Sequence, residues 1–214
     1  MGASNATLAF VSPTELKVGE DKAKRILDAA KVLFSRFGIK KTSIEEIAHQ
    51  AGLGKGTVYL YFKSKDEIFS VLATGFAHEF NETLNDALKI PETARGKLGA
   101  YIETRVRFWD RCFRDYGMTA ASVLEFQASS IAEDIRRRYG DGHIRIIKDL
   151  LEDGRRHGEF VFDNADTTAL GVYYVLDALT RPWSVSDEAI SADDKIQTCS
   201  TLLFNGLLLQ KQIH

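Results

Sequence analysis

The sequence predicts an all-α chain made of two unequal parts, and three observations carry that reading. Prolines stand only at 13, 91 and 182, so forced breaks are few. Apolar residues recur at helical spacing along nearly the whole chain, and no alternating strand of useful length appears. Charge is split unevenly: residues 21–65 hold ten Lys/Arg against four acids, a local balance of +6 within a net −2. With residues 1–20 at −1, the remaining 149 residues carry −7. A basic head on an acidic body is the asymmetry expected when one end meets a polyanion.

The elements follow in order. Residues 1–20 read as a disordered N-terminal arm without the basic start and apolar core of a secretion signal. From Asp21 to Phe37, Ala23, Ile26, Leu27, Ala30, Leu33, Phe34 and Phe37 form a helical stripe that Gly38 ends. A short second helix begins at "TSIEEIAHQAG", where Thr42 or Ser43 caps it, Glu45 and Glu46 favour its positive end, and Gly52 closes it. "GKGTVYLYF" is a third short helix. A fourth opens with Ser64 and Glu67 as a capping box and runs about 25 residues towards Pro91, connecting head to body. Further helices are expected over about 94–114, 117–128, 130–157 (one helix or two, given the glycines at 140 and 142), 164–180 and 192–210. The domain division is then 21–66 for the head and 67–214 for the body.

The glycine-rich stretch "GLGKGTVYLYF" at 52–62 admits a nucleotide loop or a DNA-reading helix. The first fails, because Lys55 is followed by Gly56 rather than Ser or Thr and a helix, not a strand, precedes it. A short helix, a glycine turn and a second short helix braced by a first make a helix-turn-helix, whose second helix enters the major groove by its N-terminal residues. Those residues are Gly54, Lys55, Gly56 and Thr57. Glycines let the helix start approach the duplex, Lys55 can donate to guanine or phosphate, and Thr57 can reach a phosphate or a thymine methyl. Tyr59 and Tyr61 bring hydroxyls on rigid rings, Val58 and Phe62 turn inward, and Lys63 and Lys65 stand at the start of the fourth helix, whose free N–H groups attract phosphate.

Residues 22–69, "KAKRILDAAKVLFSRFGIKKTSIEEIAHQAGLGKGTVYLYFKSKDEIF", resemble the N-terminal domain of TetR-family transcriptional regulators. The resemblance lies in "A..LF...G", "T.IEEIA..AG" and "KGTVY.YF.SK.E.F". Position by position it implies DNA contacts at Thr42, Lys55, Thr57, Tyr59, Tyr61 and Lys65; Leu60 departs from the aromatic often found there. For the body it implies a helical ligand-binding and dimerisation domain, and it favours a repressor.

The helices near 164–180 and 192–210 are apolar around most of their circumference, which requires burial on several sides. The expectation is a homodimer with Tyr173, Leu176, Leu203 and Leu207 at the interface, reading a near-palindromic operator. Phe76, Phe80, Trp109, Phe113, Met118 and Phe126 are the candidates to line a pocket for a small, largely apolar effector, with Arg105 and Gln127 as polar groups to orient it. "RRR" at 136–138 reads as a solvated face.

Other classes fare worse. An enzyme would need chemistry among His78, Glu79, His143 and His157, yet no two histidines share the i, i+4 spacing of a helical metal site. No catalytic residue, metal or cofactor is therefore assigned. An architectural DNA binder would have no use for about 140 residues of apolar body. Cys112 and Cys199 match no metal or disulfide pattern and read as buried thiols of a cytoplasmic protein, and no apolar run is long enough to span a bilayer.

Overall fold

The computed structural model describes residues 20–116, 124–126, 128–180 and 190–207. Its helices are α1 Glu20–Phe37, α2 Ile44–Gln50, α3 Lys55–Tyr61, α4 Lys65–Ala87, α5 Ala94–Tyr116, α6 Ser130–Ile135, α7 Asp141–Arg156, α8 Ala165–Leu179 and α9 Ala192–Leu207. The expected 117–128 helix lies mostly outside the described residues, of which 124–126 are helical. Between α6 and α7 the helix continues through one π turn, Arg136–Gly140. The glycines of 140–142 thus neither break the run nor leave it regular: a wide turn absorbs them.

Local chemistry sets the ends. Ser43 caps α2 with a full capping box, its hydroxyl accepting from Glu46 N while Glu46 answers to Ser43 N. That bonding keeps the Glu46 carboxyl below its ordinary range. At α4 the reciprocal box is only half made. Ser64 accepts from Glu67 N, but the Glu67 carboxylate turns to the backbone N–H of Lys63 at 2.6 Å. Asn164 caps α8 through Thr167 N.

Two cores result. In the head, Ile26, Ala30 and Phe34 of α1 close on Ile44 and Ile47 of α2, Val58 of α3, Phe62, and Ile68 of α4. In the body, α5 packs against α4, α7, α8 and α9, burying Leu84, Leu98, Ile102, Phe108, Ile147, Leu151, Phe160 and Leu176. Helix α4 contributes to both, as its length suggested. Cys112 and Cys199 are free and buried, and burial pushes their thiols up to about 12 and about 11, so neither is a reactive thiolate.

The interface expectation needs correcting in detail. Tyr173 and Leu176 are turned into the chain's own core at 8% and 0% exposure, so they have no face left for a partner. Leu203 is half-buried against that core, and the side chain of Leu207 lies outside the described residues. The apolar side chains that α8 and α9 leave to solvent are instead Leu170, Tyr174, Val175 and Leu202. Helical phase explains the error: in a helix that is apolar all round, sequence alone does not say which residues face home.

Leu151 is fully buried where α7 meets the body core. Leu151→Ala should cost about 2–5 kcal/mol, read as a lower urea midpoint in chemical denaturation. An unchanged midpoint would show that the body core closes without it.

Candidate nucleic-acid interface and effector cavity

The helix-turn-helix is built as its glycines dictate. Gly52 takes φ +64 in the turn after α2, a conformation that side chains resist. Leu53 N then bonds back to Ala48 O at 2.9 Å. From α1, the Arg25 guanidinium donates to Ala51 O at 2.6 Å and Gly52 O at 3.2 Å, so the end of α2 is pinned by a neighbour. Gly54 leads α3 with its carbonyl accepting from Thr57 N and Val58 N. Val58 and Phe62 point inward at 0% and 2% exposure, which leaves the other face of α3 outward.

On that face stand Lys55, Gly56, Tyr59 and Leu60, all exposed, with Thr57 and Tyr61 half-buried. Space beside Gly56 is open. Leu60 is 83% exposed, an apolar side chain standing free on a basic surface. Its placement was not argued from sequence, although the inward phase of Val58 and Phe62 already required it. Lys55 Nζ sits 5.9 Å from the centroid of the Tyr59 ring.

Two residues expected at the DNA surface are otherwise engaged. Thr42 is buried, and its hydroxyl donates to Gly38 O at 2.9 Å, locking the turn before α2. Lys65 Nζ donates to Ile39 O at 2.7 Å, Thr42 O at 3.0 Å and Lys40 O at 3.3 Å. One ammonium thereby gathers three carbonyls of that same turn. Both side chains serve the loop that carries the motif, and neither presents a free polar group outward.

Lys55 also has an occupant. It pairs with Glu45 of α2, a bond that holds the Glu45 carboxyl low and the Lys55 ammonium high. Both side chains are about half exposed, so water and salt screen the pair. A phosphate arriving at Lys55 must displace this carboxylate.

In the body, five predicted aromatics meet. Phe76, Phe80, Trp109, Phe113 and Phe126 line one cavity of about 210 Å³, while Met118 and Gln127 lie outside the described residues. The cavity also touches Lys31, Phe34 and Ser35 of α1, so head and body share a wall. Phe34, Phe69 and Phe126 run edge to face across that seam, with ring centroids 5.4 and 5.2 Å apart. Arg136 and Tyr139, from the π turn, line it too, while Arg136, Arg137 and Arg138 are all exposed, as expected of a solvated face.

Of the polar groups on this lining, Arg105 was expected, while Asp177 and His143 were not assigned to it. Arg105 pairs with Asp177 at 2.9 Å, the two side chains 7% and 18% exposed. His143 is buried beside the Phe80 ring at 5.3 Å. Burial, aided by the nearby Arg105 charge, drives its pKa down to about 3, so the imidazole is neutral at any physiological pH. Among the described residues no group of three or more His, Cys, Asp or Glu could hold a metal ion, and no helix is long and apolar enough to cross a membrane.

Comparison with known proteins agrees with this geometry. Residues 26–72 match the model for bacterial regulatory proteins of the tetR family. The fatty acid metabolism regulator protein of Bacillus subtilis is 24% identical over 197 residues, spanning 90% of this chain and 98% of that protein. Among solved structures, the fatty acid degradation regulator FadR of Bacillus halodurans superposes with a TM-score of 0.71 at 21% identity, covering 89% of this chain and 97% of the other. FadR of Bacillus subtilis, solved in complex with stearoyl-CoA, gives 0.69 at 22% identity, covering 86% and 98%. At that identity these two structures establish the fold alone.

Glu45→Gln should tighten binding to duplex DNA several-fold at low salt, with the gain shrinking as salt rises. Lys55→Ala should weaken binding with the thermal midpoint unchanged. Fluorescence anisotropy against a labelled duplex checks both, and equal affinities for Glu45→Gln and wild type would mean that the pair does not compete with phosphate.

Proposed function

Because this chain is a tetR-family transcriptional regulator with its helix-turn-helix at the N-terminus, and not an enzyme, we propose that it works as a cytoplasmic homodimeric repressor. It binds a near-palindromic operator through Lys55, Gly56, Thr57, Tyr59 and Tyr61 and lets go when a small, largely apolar effector enters the body. The observation that carries this reading is the cavity shared by both parts: a ligand in it touches α1 of the head and α4, α5, the π turn and α8 of the body at once. A constitutive architectural binder would have no reason to keep that space.

The effector class we propose is a fatty acyl thioester. Support comes from the aromatic lining, and from a relative named as a regulator of fatty acid metabolism and a fold neighbour solved with stearoyl-CoA. At about 210 Å³ the cavity lies below the usual ligand pocket of roughly 300–1,000 Å³. An acyl chain therefore enters by pushing the walls apart, and the wall that belongs to the head is α1.

A latch converts that push into a turn of the head. Phe126 lines the cavity, and its neighbour Glu125 accepts from Lys40 N at 2.7 Å, in the turn before α2. The same carboxylate lies 2.6 Å from where a Cβ on Gly38 would stand, so a side chain there would have to displace it and hold a strained φ of +81. Moving Phe126 moves Glu125, and with it the loop that Lys65 and Thr42 hold together. A swing from mostly competent to mostly incompetent needs a differential effector affinity of about 5.5 kcal/mol.

Dimerisation through the exposed Leu170, Tyr174 and Leu202 fixes the distance between two heads, so both engage one duplex together. Tyr174→Asp combined with Leu202→Asp should give monomers in sedimentation, and an unchanged dimer would place the interface elsewhere. Operator affinity, measured on fragments selected from genomic DNA, should fall at least tenfold on adding octanoyl-CoA or stearoyl-CoA. No fall with either would remove the acyl thioester reading. Glu125→Ala should shrink that ligand-dependent ratio, and a ratio equal to wild type would rule out the latch.

A further inference from the structure

Two side chains on the cavity wall have hydrogen-bonding capacity that the protein leaves unused. Arg105 and His143 both line the space and are 6% and 7% exposed. Arg105 Nε and His143 Nδ1 are buried without a hydrogen-bond partner among the described residues, as is the hydroxyl of Tyr101, which does not line the cavity. A buried polar atom left unpaired loses its water and gains nothing in return, so such atoms are rare and ask for a reason. Two of them belong to residues on one largely apolar lining, from different helices, α5 and α7, and point to a partner that arrives from outside the chain.

We infer that Arg105 and His143 form the polar recognition point of the cavity, taking a neutral carbonyl oxygen of an otherwise apolar effector. This rests on the effector reading above and narrows it, because it says which atom of the ligand is read. Charge selects the neutral oxygen. The Arg105 guanidinium is already balanced by Asp177 at 2.9 Å, and burial holds His143 neutral. A carboxylate placed there would add an uncompensated negative charge beside Asp177 in a desolvated space. A carbonyl oxygen brings two lone pairs and no charge, and accepts from Arg105 Nε–H and from His143 in its Nδ1–H tautomer.

The test uses the full chain with Trp183→Phe, so that Trp109 on the cavity wall reports occupancy by fluorescence. Heptane and 2-heptanone are titrated as a matched pair. Hydrophobic burial alone favours heptane, since the ketone is better solvated in water. The assignment predicts the opposite, with 2-heptanone binding at least ten times more tightly. In His143→Leu, and in Arg105→Lys, which keeps the charge facing Asp177 but removes Nε–H, the preference should fall to within about twofold. The wild-type comparison stands even if a variant fails to fold, which circular dichroism monitors. Equal binding of the two probes by wild type, or a preference surviving in both folded variants, overturns the assignment. So does octanoate, if its affinity drops in His143→Leu as steeply as that of the ketone. Should octanoyl-CoA release DNA while the ketone shows no advantage, the polar site alone falls; should no probe and no thioester bind, the effector reading falls with it.

Discussion

The structure depends on one helix being asked to serve two cores. Phe34 of α1 is buried in the head core, and the same residue lines the cavity of the body. A side chain cannot shift towards one without leaving the other, because close packing makes such interiors respond by repacking rather than by smooth deformation. The seam is reinforced by the edge-to-face run of Phe34, Phe69 and Phe126 and by Glu125 on the turn at Lys40. The head therefore has its own core but not its own freedom. In the proposed mechanism, its orientation follows what the cavity contains.

Electrostatics divides along the same line. Outside, the Glu45–Lys55 pair is half exposed, screened and easily exchanged, as the proposed phosphate contact at Lys55 requires. Inside, Arg105 and Asp177 are desolvated, and a buried pair of this kind contributes little net stability while its rupture costs about 3–5 kcal/mol. Such a pair is better understood as a fixed reference than as glue. It holds α5 to α8 at the cavity wall and keeps a cation there without leaving a net charge. The neutral His143 beside it extends a polar surface that neither acid nor base in the physiological range will alter.

Much of this was legible in the sequence, and the gaps have physical causes. The helix starts at Ser43 and Ser64 and the inward phase of Val58 and Phe62 followed from short-range rules, since Ser43, Gly52 and Ser64 act on atoms within a few residues of themselves. The aromatics of the cavity could be named because aromatic side chains at helical spacing face inward on any amphipathic helix. What was missed is mostly long-range. Lys65 looks like a surface cation until the fold brings the carbonyls of Ile39, Lys40 and Thr42 within reach, whereas the partner of Thr42, Gly38 O, is only four residues away. Tyr173 and Leu176 could not be told from Leu170 and Tyr174 on a helix apolar on every side. Arg105 was visible as a polar group, but its partner Asp177 is 72 residues away and leaves no local trace.

The π turn at Arg136–Gly140 joins these strands of reasoning. An extra residue in a helical turn leaves backbone groups poorly matched, and such turns recur at functional sites. Here it lets Ser130 through Arg156 run as one path although two glycines interrupt it, and it offers Arg136, Tyr139 and Gly140 to the cavity from a single widened turn. Positions i, i+3 and i+4 share a face in a regular helix as well, so these three stay on one wall while the wide turn takes up the glycine. Gly140 has Tyr173 Oη 3.4 Å from the position a Cβ would take, so the widened turn packs directly on α8. The cavity lining thus includes this turn from the body and Lys31, Phe34 and Ser35 of α1 from the head.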